Sequence, residues 1–437
     1  MDTIDLAPVI IDGIPVFPCV FQAEPEAYFV QEGDNWIKYS EKNLRLRLRE
    51  SGLSNRVAPG ADVSQVENAL IRIQQSRRVH YAQPLAGWKS GLLHFGRASV
   101  CVTESTRPTI AEDVPWPNLE KYLTQLLGKK ALPHQIGWWQ WGRKSLFGNQ
   151  VLPGQCPVYV GPAGCGKSLL QSLSTKLFGG RSTSAYSYMV GNDFNSELFE
   201  SEHLVIEDQF HDKGSKKYQF AAKLKELTVN HVQRCHKKNC PAFTTTPKWR
   251  VSMSMNGDGM GLQVLPEFDE SLLDKLMLFV CDYPTFPTDL GTTDGWKEWE
   301  RIMDAELPGL AYHIDNYDLG DLAMKRYGVK PWHDKSLIQE SGETTKEAVF
   351  RECIVHDLPL AMDEDQTVWE GTALQLERIL RGDNMPSKRL IEKTLTWSTA
   401  CGILLAKIAS QYPEAVDIKM GHRKTKNYRI DLEKLGD

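Results

Sequence analysis

No stretch of this chain approaches the roughly 18 consecutive apolar residues that a membrane-spanning helix needs,. Before residue 35 no basic flank leads into an apolar run, so no secretory signal is expected,. Cysteine is sparse, nine in 437 residues, which excludes a disulfide-stapled scaffold and points to a soluble, reducing compartment, the cytoplasm,. Tandem repeats and low-complexity linkers are missing too,. Nor does charge of one sign dominate: 51 basic and 56 acidic side chains leave a net −5. That balance excludes a nucleic-acid binder with a uniformly basic surface, but a local basic patch survives such averaging.

What is present is enough apolar content, 41%, to fill more than one core,. Four regions are expected. Residues 1–115 read as an α+β accessory region, with a strand and turn over Ile10 to Val20 and a turn at Gly33-Asp34-Asn35 into a short strand,. Helical rhythm marks Ser40 to Glu50 and Val63 to Gln74, although the alternation from Leu44 to Arg49 also fits a strand,. Arg45, Arg47 and Arg49 read as a solvated face in preference to a phosphate contact. Residues 116–148 read as a helical collar or linker, whose Trp138, Trp139 and Trp141 suit core packing better than base stacking,. Residues 149–335 alternate strands and helices, which predicts an α/β domain,. Residues 336–437 read as mostly helical.

The strongest motif is Gly161-Pro162-Ala163-Gly164-Cys165-Gly166-Lys167-Ser168, a complete GxxxxGK[ST] phosphate loop,. Its flanks agree: Cys156 to Val160 is a short apolar strand, and Leu169-Leu170 opens a helix reaching Phe178. Glycines let backbone N–H groups wrap a phosphate, and the helix adds its own unpaired N–H groups. Lys167 would reach the β- and γ-phosphates of ATP, and Ser168 would ligate Mg2+,. Leu204-Val205-Ile206-Glu207-Asp208 is an apolar strand ending in two carboxylates. Asp208 is assigned to Mg2+ and Glu207 to the attacking water, and the two roles are exchangeable,. A third strand, Val251 to Met255, ends at Asn256, whose amide suits the γ-phosphate or the water.

The charge average hides a polarised pair of segments. His211 to Arg250 holds ten basic and two acidic residues, a formal +8, whereas Leu262 to Leu310 holds eleven acids and three bases, −8. Thr228 to Arg250 reads as strand, turn and strand with a basic tip. Arg234, His236, Lys237, Lys238, Lys248 and Arg250 are therefore candidate contacts to single-stranded DNA, gripped by its phosphates without regard to sequence,. A zinc site on His231, Cys235, His236 and Cys240 is disfavoured, because adjacent Cys235 and His236 strain joint coordination,.

In this order the segments resemble the superfamily 3 helicases, and among them the primase-helicases of poxvirus and phage type. The phosphate loop, Glu207-Asp208, the stretch Lys223 to Lys238 and Asn256 match that family's ordered motifs over about residues 120–335. Fainter likeness covers Tyr39 to Leu53, Gly87 to Pro108, Tyr327-Gly328-Val329-Lys330 and Trp332-His333. The resemblance implies an AAA+-like P-loop core working as a hexameric ring, with ATP between subunits and 3'-to-5' movement on single-stranded and forked DNA. It implies replication of a phage, plasmid or mobile element, beside a separate primase or polymerase, since no paired-carboxylate primase site is visible before residue 115. The family's arginine pair is missing at Asp274-Lys275, leaving Lys275, Lys248 and Arg250 as candidate trans-acting cations. A DNA-bound ATPase switch that does not unwind is the alternative.

At the carboxyl end, Thr372 to Leu380 and Ser387 to Leu405 have helical rhythm, and Val416 to Met420 and Asn427 to Leu432 read as strands. Between them Arg423, Lys424 and Lys426 would touch duplex phosphates if this is a winged-helix domain; a plain helical subdomain fits equally well,.

Overall fold

The computed structural model describes residues 8–148, 150–189, 191, 194–207, 217–229, 232–238, 240–256, 270–337, 345–363, 366–420 and 426–436. The chain divides into two compact units, one of Met1–Gly261 with Glu270–His333, the other of Leu262–Asp269 with Asp334–Asp437.

The first unit begins with strands β1 (Val9–Ile11), β2 (Ile14–Val16), β3 (Cys19–Gln22), β4 (Ala27–Glu32) and β5 (Asn35–Tyr39). Helices α1 (Glu41–Glu50) and α2 (Gln65–Ser76) follow, then β6 (Arg78–Val79), β7 (Tyr81–Gln83), β8 (Gly91–Phe95) and β9 (Ala98–Val102). The ambiguous Leu44 to Arg49 stretch is helical. Ser40 caps it by accepting from Asn43 N, and Leu44 and Leu48, one turn apart, are buried,. Arg45 pairs with Glu41 and Glu67, and Arg47 with Glu32, so these two arginines brace the module itself. The sheet β5-β4-β3-β6 packs Phe21, Tyr28 and Val30 against α1 and α2, while Val20, Phe29 and Trp36 cluster on a second core with Val79, Ala82 and Cys101.

Next come α3 (Pro117–Leu127) and α4 (Leu132–Phe147). Trp138 and Trp139 are fully buried in the core around them, as expected of packing residues. The central sheet contains β10 (Cys156–Gly161), β11 (Ser182–Ser184) and β12 (His203–Ile206), with α5 (Lys167–Phe178) after β10. Helix α6 (Lys217–Val229) precedes a small pair, β13 (Gln233–Cys235) and β14 (Phe243–Thr245). Strands β15 (Arg250–Asn256) and β16 (Leu276–Val280) and the long helix α7 (Thr293–Asn316) complete the unit. All five central strands run parallel in the order β11-β12-β15-β10-β16. Near-continuous burial of β10 and β15 is what a parallel strand covered on both faces requires,.

The accessory module is joined to the central sheet by polar bonds as well as packing. Glu202, wholly buried, accepts from the Arg181 guanidinium and from Thr106 Oγ1, and Ala86 N donates to Phe199 O.

The second unit contains α8 (Thr345–Asp357), β17 (Val368–Thr372), α9 (Ala373–Leu380), α10 (Lys388–Thr394), α11 (Ala400–Gln411), β18 (Val416–Met420), β19 (Lys426–Asp431) and α12 (Leu432–Gly436). Its antiparallel sheet has the order β17-β19-β18, and the strand β17 was not expected. The single helix expected over Ser387 to Leu405 is two. Its break follows Leu395, whose carbonyl is taken by the Arg381 guanidinium at 2.7 Å instead of a helical N–H. Arg423 and Lys424 lie outside the described residues, and Lys426 is exposed at the start of β19.

Because Glu202 is buried with its charge held by Arg181, Glu202→Ala should cost about 3 kcal/mol in chemical denaturation. A cost below about 1 kcal/mol, the range of exposed pairs, would contradict this role.

Candidate nucleotide site and basic hairpin

The parallel register of the central sheet builds the site. Strand β10 pairs with β15 so that Gly161 stands beside Asn256, and β15 pairs with β12 so that Ile206 stands beside Met253. The loop glycine, the asparagine and Glu207 thereby reach the same carboxyl edge of three adjacent strands, where α/β sheets bind ligands. Gly161 has no room for a side chain: a Cβ there would lie 2.3 Å from the Cys281 carbonyl oxygen. Gly166, at φ +105°, caps α5 in the left-handed region that glycine alone occupies freely,.

Lys167 is buried at 8% exposure. Its ammonium donates to the carbonyls of Gly161 (2.8 Å) and Pro162 (2.7 Å) and reaches Asn256 Oδ1 at 3.4 Å. The loop is gripped from outside by two phenols that the sequence reading missed. Tyr122 donates to the Gly166 carbonyl and Tyr283 to the Ala163 carbonyl, each at 2.9 Å. Tyr122 sits on the apolar face of α3 and reads as core; Tyr283 lies just past β16, on the same sheet edge as the loop.

Ser168 and Glu207 are exposed and line one open cleft of about 390 Å³ with Gln171, Thr175 and Ser182 to Ser184. A hydroxyl and a carboxylate facing one cleft beside a phosphate loop suit a triphosphate with its Mg2+. Asp208 lies outside the described residues, as do Gly257 to Gly259 after Asn256.

Around the basic segment the expectations need correction. Thr228 and Val229 close helix α6, so the strand pair is shorter than expected, Gln233–Cys235 against Phe243–Thr245. The connecting segment is docked on the accessory module. Lys237 N donates to Tyr81 Oη at 3.1 Å, and Phe243 packs on Tyr81 and Phe95 with ring centroids at 4.7 and 5.3 Å. Arg234 and Lys238 are exposed, while His236 and Lys237 are half-buried. The His236 ring packs tilted against Phe194, with centroids 5.0 Å apart.

Lys248 and Arg250 are not surface cations. Lys248 is 5% exposed, donates to the Gly87 carbonyl and lies over the Trp88 ring. Arg250 is 3% exposed and donates to the carbonyls of Trp249, Trp141 and Leu152. Lys275 is 8% exposed and holds Asp274 at 2.6 Å. All three candidate trans-acting cations are thus buried and engaged within their own unit. Cys235 and Cys240 are buried thiols, the latter directed to the Glu24 carbonyl; His231 lies outside the described residues.

With this geometry in place, comparisons with known proteins locate the fold. A family model described as a family of unknown function (DUF5906) matches residues 159–282, the segment from β10 to just past β16. No curated protein matches. Among solved structures, the apo NrS-1 C terminal region is similar at a TM-score of 0.54 and 12% identity, covering 94% of this chain and 95% of that one. The A form apo structure of the same region is similar at a TM-score of 0.53 and 12% identity, covering 94% and 96%. At this identity the likeness is one of fold, and it extends over both units.

Beneath the cleft lies a polar chain that ties α5 to the sheet. Gln171 Nε2 donates to Ser252 Oγ at 3.0 Å, which lies 2.8 Å from His203 Nε2; His203 Nδ1 lies 2.8 Å from Thr175 Oγ1. Burial pushes the His203 pKa from 6.5 down to about 3, so the ring is neutral in the folded chain,. Its contribution to stability is therefore complete above pH 6.5 and declines as pH falls, because the unfolded chain takes up the proton first. About 2 kcal/mol of stability should be lost between pH 7.5 and 5 through this group. Urea denaturation at both pH values should show a smaller loss in His203→Gln; an equal loss would contradict the buried neutral ring.

Proposed function

We propose that this chain is an ATP-driven motor on single-stranded DNA, a helicase of superfamily 3 type with an AAA+-like core, serving replication of a phage or related mobile element. The observation that carries the reading is the convergence of Lys167, Asn256 and Glu207 on one sheet edge through the register Gly161–Asn256. The strand order supports it: β10 with the loop, β15 with the asparagine and β12 with the acid are consecutive in one parallel sheet.

In this reading the loop N–H groups from Gly161 to Ser168 hold the phosphates of ATP. Lys167 leaves the Gly161 and Pro162 carbonyls for the β- and γ-phosphates, and Ser168 with Asp208 holds Mg2+, which neutralises the charge on the phosphates. Glu207 orients the attacking water and takes its proton, and Asn256 contacts the γ-phosphate side of the site. Arg234, His236, Lys237 and Lys238 meet the DNA backbone as several copies of the chain form a ring. The second unit, with helices preceding the β18–β19 pair and the basic Arg423, Lys424 and Lys426 between Met420 and Asn427 in the sequence, acts as a winged-helix domain on duplex DNA,.

One observation favours a second reading, the ATPase switch that does not unwind. The hairpin is bonded to the accessory module through Tyr81 and Phe243, and Lys248, Arg250 and Lys275 are buried. A motor needs that hairpin to move.

ATP turnover with and without single-stranded DNA, run beside strand displacement on a forked duplex, separates the two. The motor predicts DNA-stimulated turnover and displacement, both lost in Lys167→Ala. Turnover without displacement assigns the switch, and absence of nucleotide binding contradicts both. Lys237→Ala with Lys238→Ala should flatten the log K against log salt slope by about 1.4 for a single strand; an unchanged slope would remove these lysines from the DNA contact.

A further inference from the structure

The described groups assigned to the terminal phosphate and the water lie on one side of the phosphate loop. In the order β12-β15-β10-β16, Asn256 ends β15 and Glu207 follows β12, whereas β16 flanks β10 on the other side. A nucleotide whose γ-phosphate meets Asn256 and Glu207 therefore extends across the loop toward β16. From β12 to β16 is three strand spacings, about 14 Å, the scale of an extended nucleoside triphosphate.

On that side stands Tyr283. At 64% exposure it is the most exposed large aromatic side chain among the described residues. Its place is nevertheless fixed. The hydroxyl donates to the Ala163 carbonyl of the loop at 2.9 Å. The backbone around it is pinned to α3: Asp282 N donates to the Leu126 carbonyl at 3.0 Å, and Thr285 N and Oγ1 donate to Gln125 Oε1 at 2.8 and 3.0 Å. Phe286 takes the inward place, packing on Tyr122 and Trp299 with ring centroids at 5.6 and 5.0 Å. The segment thus packs one aromatic ring inward and holds another in water, where the second forgoes the stabilisation that burial brings. An aromatic face fixed beside a phosphate loop fits the planar base of the same nucleotide, because stacking needs a flat surface and no particular base edge.

We propose that Tyr283 is the platform on which the base of the bound nucleotide stacks. The loop holds the phosphates, Asn256 and Glu207 stand at the γ-phosphate end, and the Tyr283 ring carries the base end. The contact is made to the face of the base, so it adds affinity for a nucleotide over a bare phosphate chain. The tyrosine hydroxyl ties the platform to the loop, which keeps base and phosphate subsites at a set distance. The proposal rests on the nucleotide-binding part of the function proposed above and is independent of its DNA-binding part.

The test titrates the full chain with ADP and with inorganic pyrophosphate, each with Mg2+, by calorimetry. Tyr283→Phe removes the hydroxyl and keeps the ring; Tyr283→Leu removes both. The two variants lack the Ala163 bond alike, so they differ only in the aromatic face. Tyr283→Leu should bind ADP about tenfold more weakly than Tyr283→Phe, with equal pyrophosphate affinity in the two. Equal ADP affinity in the two variants overturns the platform. So does a loss in Tyr283→Leu that falls equally on ADP and pyrophosphate, since the ring would then only support the loop. If pyrophosphate binds too weakly to measure, the ADP comparison between the two variants decides. A parent chain that binds pyrophosphate as tightly as ADP overturns the platform and leaves the phosphate loop intact. A parent chain that binds neither overturns the nucleotide reading itself.

Discussion

The site depends on one contact between backbones. β10 ends at Gly161 directly against the Cys281 carbonyl and in register with Asn256 on β15. Only glycine allows that approach, so the strand can turn at once into the phosphate loop while the asparagine stays level with it. A residue with a Cβ at 161 would push the loop away from its neighbours and separate Lys167 from Asn256. Tyr122, Tyr283 and the Gln171–Ser252–His203–Thr175 chain then hold the loop and α5 in that place.

The accessory module changes how the basic segment is understood. Charge alone suggests a projecting loop, but a charged side chain also serves inside a protein when carbonyls surround it. Lys248 and Arg250 are such cases, each bound to backbone oxygens. Of the described candidate contacts, Arg234 and Lys238 are at the surface, with Lys237 and His236 half-covered where the hairpin rests on Tyr81 and the Phe95–Phe243 pair. The −8 and +8 segments that cancel in the total are therefore not simply two opposed surfaces.

Much of this was legible in the sequence where local chemistry leaves one solution. The phosphate loop demands glycines and a following helix, and α5 runs from Lys167 to Phe178 as the apolar rhythm implied. The Val416 to Met420 strand and the Ser40 to Glu50 helix followed from local pattern as well. Failures came where tertiary contact decides. Nothing local distinguishes Lys248 from Lys238; burial against Trp88 does. The helix break after Leu395 arises from an arginine 14 positions earlier, and Tyr122 reads as core because only its hydroxyl reaches the loop.

The central claim is that Asn256 acts on the nucleotide held by the loop, and the most direct measurement is steady-state ATP turnover of Asn256→Ala alongside its ATP affinity. The account predicts a fall in kcat of about a hundredfold with nucleotide affinity nearly unchanged. Turnover at the parent rate would contradict it, since the register of β10 and β15 would then position a residue with no part in the chemistry.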